Sequence, residues 1–141
     1  MPSCDSGYSR QVNECVSYST DGPVALVHLD RPDRLNAVVP ALVEGILAGF
    51  EQAGADGART VILAGRGRAF CAGHDLKEPA PAEDEATARQ RLQRIQDVTR
   101  AIRSFPGPVI AAVHGYDLGA GAEFALGCDL VVAGHDARFG F

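Results

Sequence analysis

Apolar residues recur along the chain at two spacings, and the changes between them lay out its elements. Val16 to Thr20 and Val24 to Asp30 are short strand-forming runs separated by Asp21-Gly22-Pro23, a turn signal, so they predict a hairpin. Val39, Leu42, Val43, Ile46, Leu47 and Phe50 then recur at helical spacing. They mark the buried stripe of a helix that Asn36 caps, that tolerates Pro40 in its first turn and that runs to about Gly54. Thr60 to Ala64 is an apolar strand, followed by the loop Gly65-Arg66-Gly67-Arg68.

Leu92, Ile95, Val98, Ile102 and Phe105 share one face of a second helix, from Thr87 to Phe105, which Pro106-Gly107-Pro108 stops. The arginines and glutamines of that helix read as a solvated face. Val109 to Val113 and Leu130 to Ala133 are further strands, with a short small-residue helix over Gly119 to Gly127 between them. Strands alternating with helices imply an α/β fold with right-handed crossovers and a largely parallel sheet. Residues 1–12 are small and polar and read as a flexible leader; residues 79–86, Pro-Ala-Pro-Ala-Glu-Asp-Glu-Ala, read as an exposed, mobile loop. No repeat or linker divides the remainder.

Composition narrows the class. The 141 residues carry 13 Lys+Arg against 18 Asp+Glu, and Lys77 is the only lysine. An acidic chain without a basic run predicts no nucleic-acid partner. No stretch approaches the ~20 apolar residues that span a bilayer, and the first seven residues lack the charge and apolar core of a secretory signal. Cys4, Cys15, Cys71 and Cys128 are scattered singly, which reads as reduced thiols in a cytoplasmic protein, with Cys71 and Cys128 as small core residues. His28, His114 and His135 have no partners at metal-ligand spacing, so no metal site is expected.

Two glycine-rich segments carry the candidate chemistry. Gly65-Arg66-Gly67-Arg68-Ala69-Phe70 and Gly119-Ala120-Gly121-Ala122-Glu123-Phe124 both have phenylalanine where a dinucleotide fingerprint needs its third glycine, so a nucleotide cofactor is not expected. Phe70 to Glu78 and His114 to Glu123 each lead from a buried strand into a glycine-rich turn, and the second opens into a helix. Such turns are either ordinary strand-to-helix corners or, where two converge, a pair of free backbone amides for a carbonyl oxygen that gains charge.

Arg31-Pro-Asp-Arg-Leu-Asn-Ala37, Gly67-Arg-Ala-Phe-Cys-Ala-Gly-His-Asp-Leu-Lys-Glu78, Gly115-Tyr-Asp-Leu-Gly-Ala-Gly-Ala-Glu123, Cys128-Asp-Leu130 and Ala137-Arg-Phe-Gly140 occur in order. Together they resemble the crotonase superfamily, the enoyl-CoA hydratase/isomerases, from about Val16 to the last residue. The resemblance implies a ClpP/crotonase-like spiral of ββα units, with residues 13–141 as the N-terminal part of an acyl-CoA-binding catalytic domain, incomplete at its C-terminus. It implies acyl-CoA thioesters as substrates, no separate cofactor, and trimers or dimers of trimers. It also assigns positions. The amides of His74 and Ala120 would form the oxyanion hole. Arg34, Leu35, Ala72, His74, Asp75, Leu76, Lys77 and Ala120 would contact the CoA substrate, and His74 could turn its imidazole toward the acyl chain. Glu123 matches the first catalytic glutamate of the family's hydratases, and the second would follow Phe141 in the pattern A-x-F-G-x-P-E. The implied activity is hydration of α,β-unsaturated acyl-CoA in fatty-acid β-oxidation. The alternatives are double-bond isomerisation, another crotonase-type reaction, or a non-catalytic acyl-CoA-binding or assembly module. Asp117 stands where the family carries a small apolar residue and reads as an exposed loop aspartate.

Overall fold

The computed structural model describes residues 9–77 and 82–141. The expected hairpin forms from β2 (Val16–Asp21) and β3 (Val24–Leu29), antiparallel about the turn at Gly22, whose φ is +56°. Residues 9–12 depart from the flexible-leader reading. They belong to β1 (Ser9–Asn13), which pairs antiparallel with β2. Its Ser-Arg-Gln-Val-Asn sequence has no apolar alternation because the strand is an exposed edge, where polar residues are favoured. Asn13 ends it: the side-chain oxygen accepts from the N–H groups of Cys15 and Val16, and the amide donates to the Ala41 carbonyl.

From β3 the sheet continues in parallel through β4 (Thr60–Gly65), β5 (Val109–Val113) and β7 (Leu130–Ala133), in the order β1-β2-β3-β4-β5-β7. Each of the three strands β3, β4 and β5 is followed by a short extended segment and then a helix: α1 (Pro40–Ala55), α2 (Glu85–Ser104) and α3 (Ala120–Gly127). The extended segments pair in parallel with those of the next turn. Val38 bridges His74, Cys71 bridges Asp117, and β6 (Tyr116–Leu118) pairs with β8 (Arg138–Gly140). A long strand, a short strand and a helix per turn, each turn stacked on the last, make the expected spiral. Strand β6 lies where the sequence suggests only a glycine-rich turn, and β8 lies in a segment for which no element is predicted.

The α1 stripe is buried as expected, apart from half-buried Leu47. Asn36 does not cap this helix. The helix starts at Pro40 behind Val39, whose extended backbone (φ −131°) lends no side-chain cap, and proline at the first position needs no N–H partner. On α2, Ile95, Val98 and Ile102 are buried, but Leu92 is 53% exposed; in the same turn Arg91 reaches Glu83 and His74, and Arg94 reaches Glu44 of α1. Helix α2 begins at Glu85, capped by the Asp84 carboxylate on the Thr87 N–H, so it takes in the end of the expected 79–86 loop; residues 79–81 of that loop lie outside the described residues. Phe50 and Phe105 meet edge-to-face with centroids 6.2 Å apart and tie the ends of α1 and α2 together. No helix among the described residues is long and apolar enough to cross a membrane.

Candidate active site

The two glycine turns lie against each other. The Cys71 N–H donates to the Tyr116 carbonyl (3.1 Å) and the Leu118 N–H to the Cys71 carbonyl (2.9 Å), so the segments run side by side into their turns. At the turns the backbones touch. Gly73 has φ +83°, and a Cβ on it would stand 2.8 Å from the Leu118 carbonyl oxygen. Gly119 has φ +55° and ψ −122°, a conformation open to glycine, and its own Cβ position is 3.7 Å from the Gly73 Cα. The residues that follow, His74 and Ala120, are thereby brought together.

Their N–H groups donate to no other group among the described residues. Ala120 opens α3, so its N–H has no intrahelical acceptor and carries the positive end of the helix dipole. Two unengaged amides, one at a helix start, suit an oxygen that gains negative charge.

The loop after β3 buttresses this pair. Leu35 and Asn36 both have positive φ (53° and 55°), and Asn36 is fully buried. Its side-chain oxygen accepts from the Arg31 N–H (2.7 Å), and its amide donates to the carbonyls of Arg66 (3.0 Å) and Ala69 (2.9 Å). Asn36 is therefore the post that joins the loops after β3 and β4. The Leu35 carbonyl accepts from the Ala72 N–H, the Gly73 carbonyl from the Val38 N–H, and the Val38 carbonyl from the Asp75 N–H. Arg31 bridges the Asp75 carboxylate at 2.8 Å, both side chains largely buried, and also donates to the Ala37 carbonyl.

Arg34, Leu35, Ala72, His74, Asp75, Leu76 and Lys77, the expected CoA contacts, all line one hollow of about 290 Å³. Ala120, the remaining expected contact, is not among its lining residues. Asp75 points its carboxylate inward, to Arg31 and the Lys77 N–H, and so holds the loop. Arg68 is a wall residue that the sequence reading missed; its loop carries two arginines beside a basic pocket, and that was the available signal.

His74 also lines a second hollow of about 370 Å³, floored by Val38, Val39, Val43 and Ile95. The Arg91 guanidinium lies against the His74 Nε2 at 2.6 Å. Arg91 is itself held by both Glu83 oxygens (3.2 Å). Arg94 grips Glu44 at 2.6 and 2.8 Å and keeps that carboxyl below its usual range. The arginine face of α2 is thus part of the site wall, not only a solvated face.

Glu123 lies in the first turn of α3, just beyond Ala120, and is exposed. It borders a different, open hollow with Thr99, Arg100 and Arg103, and shares neither hollow that His74 lines. Asp117 corrects the exposed-loop reading. It sits in β6 with no accessible surface, and neither carboxyl oxygen has a hydrogen-bond partner. Burial pushes that carboxyl up to about 7. Cys71 is buried as expected, its thiol donating to the Asn36 carbonyl, and burial pushes it up to about 12. Cys128 is half-buried.

Comparison with known proteins matches these arrangements to one group. The chain is 42% identical to the 2,3-dehydroadipyl-CoA hydratase of Escherichia coli over 118 residues, 83% of this chain and 45% of that protein. The solved enoyl-CoA hydratase of Thermoplasma volcanium superposes with a TM-score of 0.84 at 30% identity, over 91% of this chain and 51% of that one. The enoyl-CoA hydratase structure from Mycobacterium smegmatis gives 0.83 at 37%, over 90% and 50%. The chain spans about half the length of the curated relatives it matches. These neighbours have the crotonase fold. Residues 19–141 match the enoyl-CoA hydratase/isomerase family throughout, and the chain belongs to it.

Proposed function

We propose that the protein acts on acyl-CoA thioesters and adds water across an α,β-unsaturated acyl group. The observation that carries this reading is the pair of unengaged amides at His74 and Ala120, with Glu123 in the helical turn that Ala120 begins. The thioester oxygen sits between the two amides and takes up negative charge as water adds at the β-carbon. Glu123 is the base that removes a proton from that water, and the resulting enolate then takes a proton at its α-carbon, which restores the neutral thioester and completes the addition. Arg34, Arg68 and Lys77 outnumber Asp33 and the Arg31-paired Asp75 around the 290 Å³ hollow, a balance suited to the phosphates of coenzyme A, and the apolar 370 Å³ hollow suits the acyl chain. Coenzyme A arrives as part of the substrate, with no separate cofactor.

The test uses the full-length gene product with crotonyl-CoA, following loss of the enoyl-thioester absorbance and identifying the product. The 3-hydroxyacyl thioester is expected; a shifted double bond would instead mark an isomerase. Glu123→Gln keeps size and polarity but cannot take the proton, so kcat should fall ~10²-fold or more while acyl-CoA affinity changes little. Ala120→Pro deletes one amide at a position where proline is helix-compatible, and should cost ~10²–10³-fold in kcat, whereas Ala120→Gly retains the donor and most of the rate. A folded Ala120→Pro enzyme with normal turnover would refute the two-amide site. A Glu123→Gln enzyme within twofold of the parent would refute the hydratase reading.

A further inference from the structure

Asp117 is a buried acid to which the proposed reaction assigns no role, and its position is specific. It precedes Ala120 by three residues, and Cys71, the residue it bridges, precedes His74 by three. The carboxyl therefore sits between the Cys71 segment and the start of α3, the two stretches that lead to the amide-bearing residues. Its Oδ1 stands 2.8 Å from where a Cβ on Gly121 would fall, and the Cys71 Cβ and carbonyl stand 2.6 and 2.7 Å from the same point. Only glycine leaves room for α3 to start against this acid.

The elements packed around it supply no counter-charge. From the 70–74 segment comes Cys71, a protonated thiol, and His74, whose imidazole is taken by Arg91. Helix α3 brings exposed Glu123, and just after it come the Cys128 thiol, pushed up to about 12 by burial, and Asp129, whose carboxylate accepts the Val109 N–H. In β8, Phe139 stands opposite Asp117 in the ladder, and Arg138, opposite Tyr116, is exposed. Among the described residues none of these donates to the carboxyl, which is sealed from water.

We propose that Asp117 is a proton-linked positioning residue for the two-amide site: as the neutral acid it leaves the amides free to stabilise an anionic thioester oxygen, and as the carboxylate it opposes that oxygen from behind. The inference rests on the two-amide reading above. A buried carboxyl without partners favours its neutral form, and its raised value of about 7 puts ionisation within the working range. The sign follows: the neutral acid predominates below about pH 7 and the carboxylate above it, so turnover falls as pH rises. Three residues of chain span at most about 10 Å, and a unit charge at about that distance, at the effective dielectric of a protein, is worth about tenfold in rate or more.

The experiment measures kcat for crotonyl-CoA hydration by the full-length gene product from about pH 6 to about pH 8.5, a window set to bracket that ionisation. The parent should lose about tenfold or more across the window, and Asp117→Asn, which has the same shape without a titrating proton, should lose this alkaline fall. Superimposable parent and Asp117→Asn profiles, with Ala120→Pro inactive, would overturn this inference alone. Normal turnover by Ala120→Pro would overturn the two-amide site and this inference with it. If Asp117→Asn does not fold, the parent's aspartate carboxyls, ¹³C-labelled and followed by NMR, decide the matter: one should titrate near neutrality. If all are ionised by about pH 5, in the range of ordinary carboxyls, the inference fails.

Discussion

Asn36→Ala is the perturbation that best separates the loop framework from the sheet it sits on. It removes three hydrogen bonds at once, to the Arg31 N–H and to the carbonyls of Arg66 and Ala69. The Ala69 bond is fully buried, and an orphaned buried group costs ~1–3 kcal/mol. The other two are part-buried, so water recovers some of the loss and each costs nearer ~0.5–1 kcal/mol. Alanine must also hold a φ of 55°, which asparagine tolerates, for a further ~1 kcal/mol. The sum is ~4 kcal/mol, a large share of the 5–15 kcal/mol that stabilises a typical domain. Urea titration should show a lower midpoint at unchanged slope. Asn36→Gly, free of the backbone strain, should recover part of the deficit. Asn36→Asp should be at least as damaging as alanine, because it sets a carboxylate against two carbonyls. Loss of less than ~1 kcal/mol in Asn36→Ala would mean that Asn36 joins nothing that matters, and the reasoning would fail.

Two further outcomes follow from the same framework. Arg31→Met removes the 2.8 Å ion pair to the largely buried Asp75 carboxylate and the bond to the Ala37 carbonyl, and should destabilise by ~1–3 kcal/mol, measured by the same titration, with weaker acyl-CoA binding as the loop loosens. Gly73→Ala forces a Cβ to 2.8 Å from the Leu118 carbonyl at φ +83°; a loss of ~2–3 kcal/mol is expected, together with a fall in kcat, since the turns carrying His74 and Ala120 are pushed apart.

The long periodic segments were legible because burial dictates them. The stripes of α1 and most of α2, the apolar strands and the hairpin turn each follow from residues a few positions apart. What sequence alone missed depends on contacts across turns of the spiral. Asn36 precedes a helical pattern and so looks like a cap, but two of its three partners are thirty and more residues away, on the loop after β4, and the third is the Arg31 N–H behind it. Strand β1 escapes notice because an edge strand needs backbone partners and not apolar side chains. Leu92 fits the α2 period, yet that turn faces a rim of charged residues and not the core. Strands β6 and β8 are three residues each, too short for a period to show.

The candidate site divides along the same line. The two turns were legible because their glycines must leave room for backbone, a requirement written locally at Gly73 and Gly119, whereas the choice of His74 and Ala120 within them is what the family resemblance implies. Their side chains are unconstrained by the amides, which act through the main chain. This freedom explains how position 74 holds a histidine whose ring, fixed by Arg91 and Glu83, lines both the basic hollow and the apolar one. Asp117 is the opposite case. An aspartate between glycine-rich residues suggests solvent, because turns expose their polar groups. Here the segment is a strand in the inner layer, covered by α3 on one side and the Cys71 segment on the other. An unpaired carboxyl can occupy that place at the cost of a neutral polar group, and not the far larger cost of a charge, only when it carries its proton. The most informative titratable group in the chain was therefore the one whose local sequence pointed away from the core.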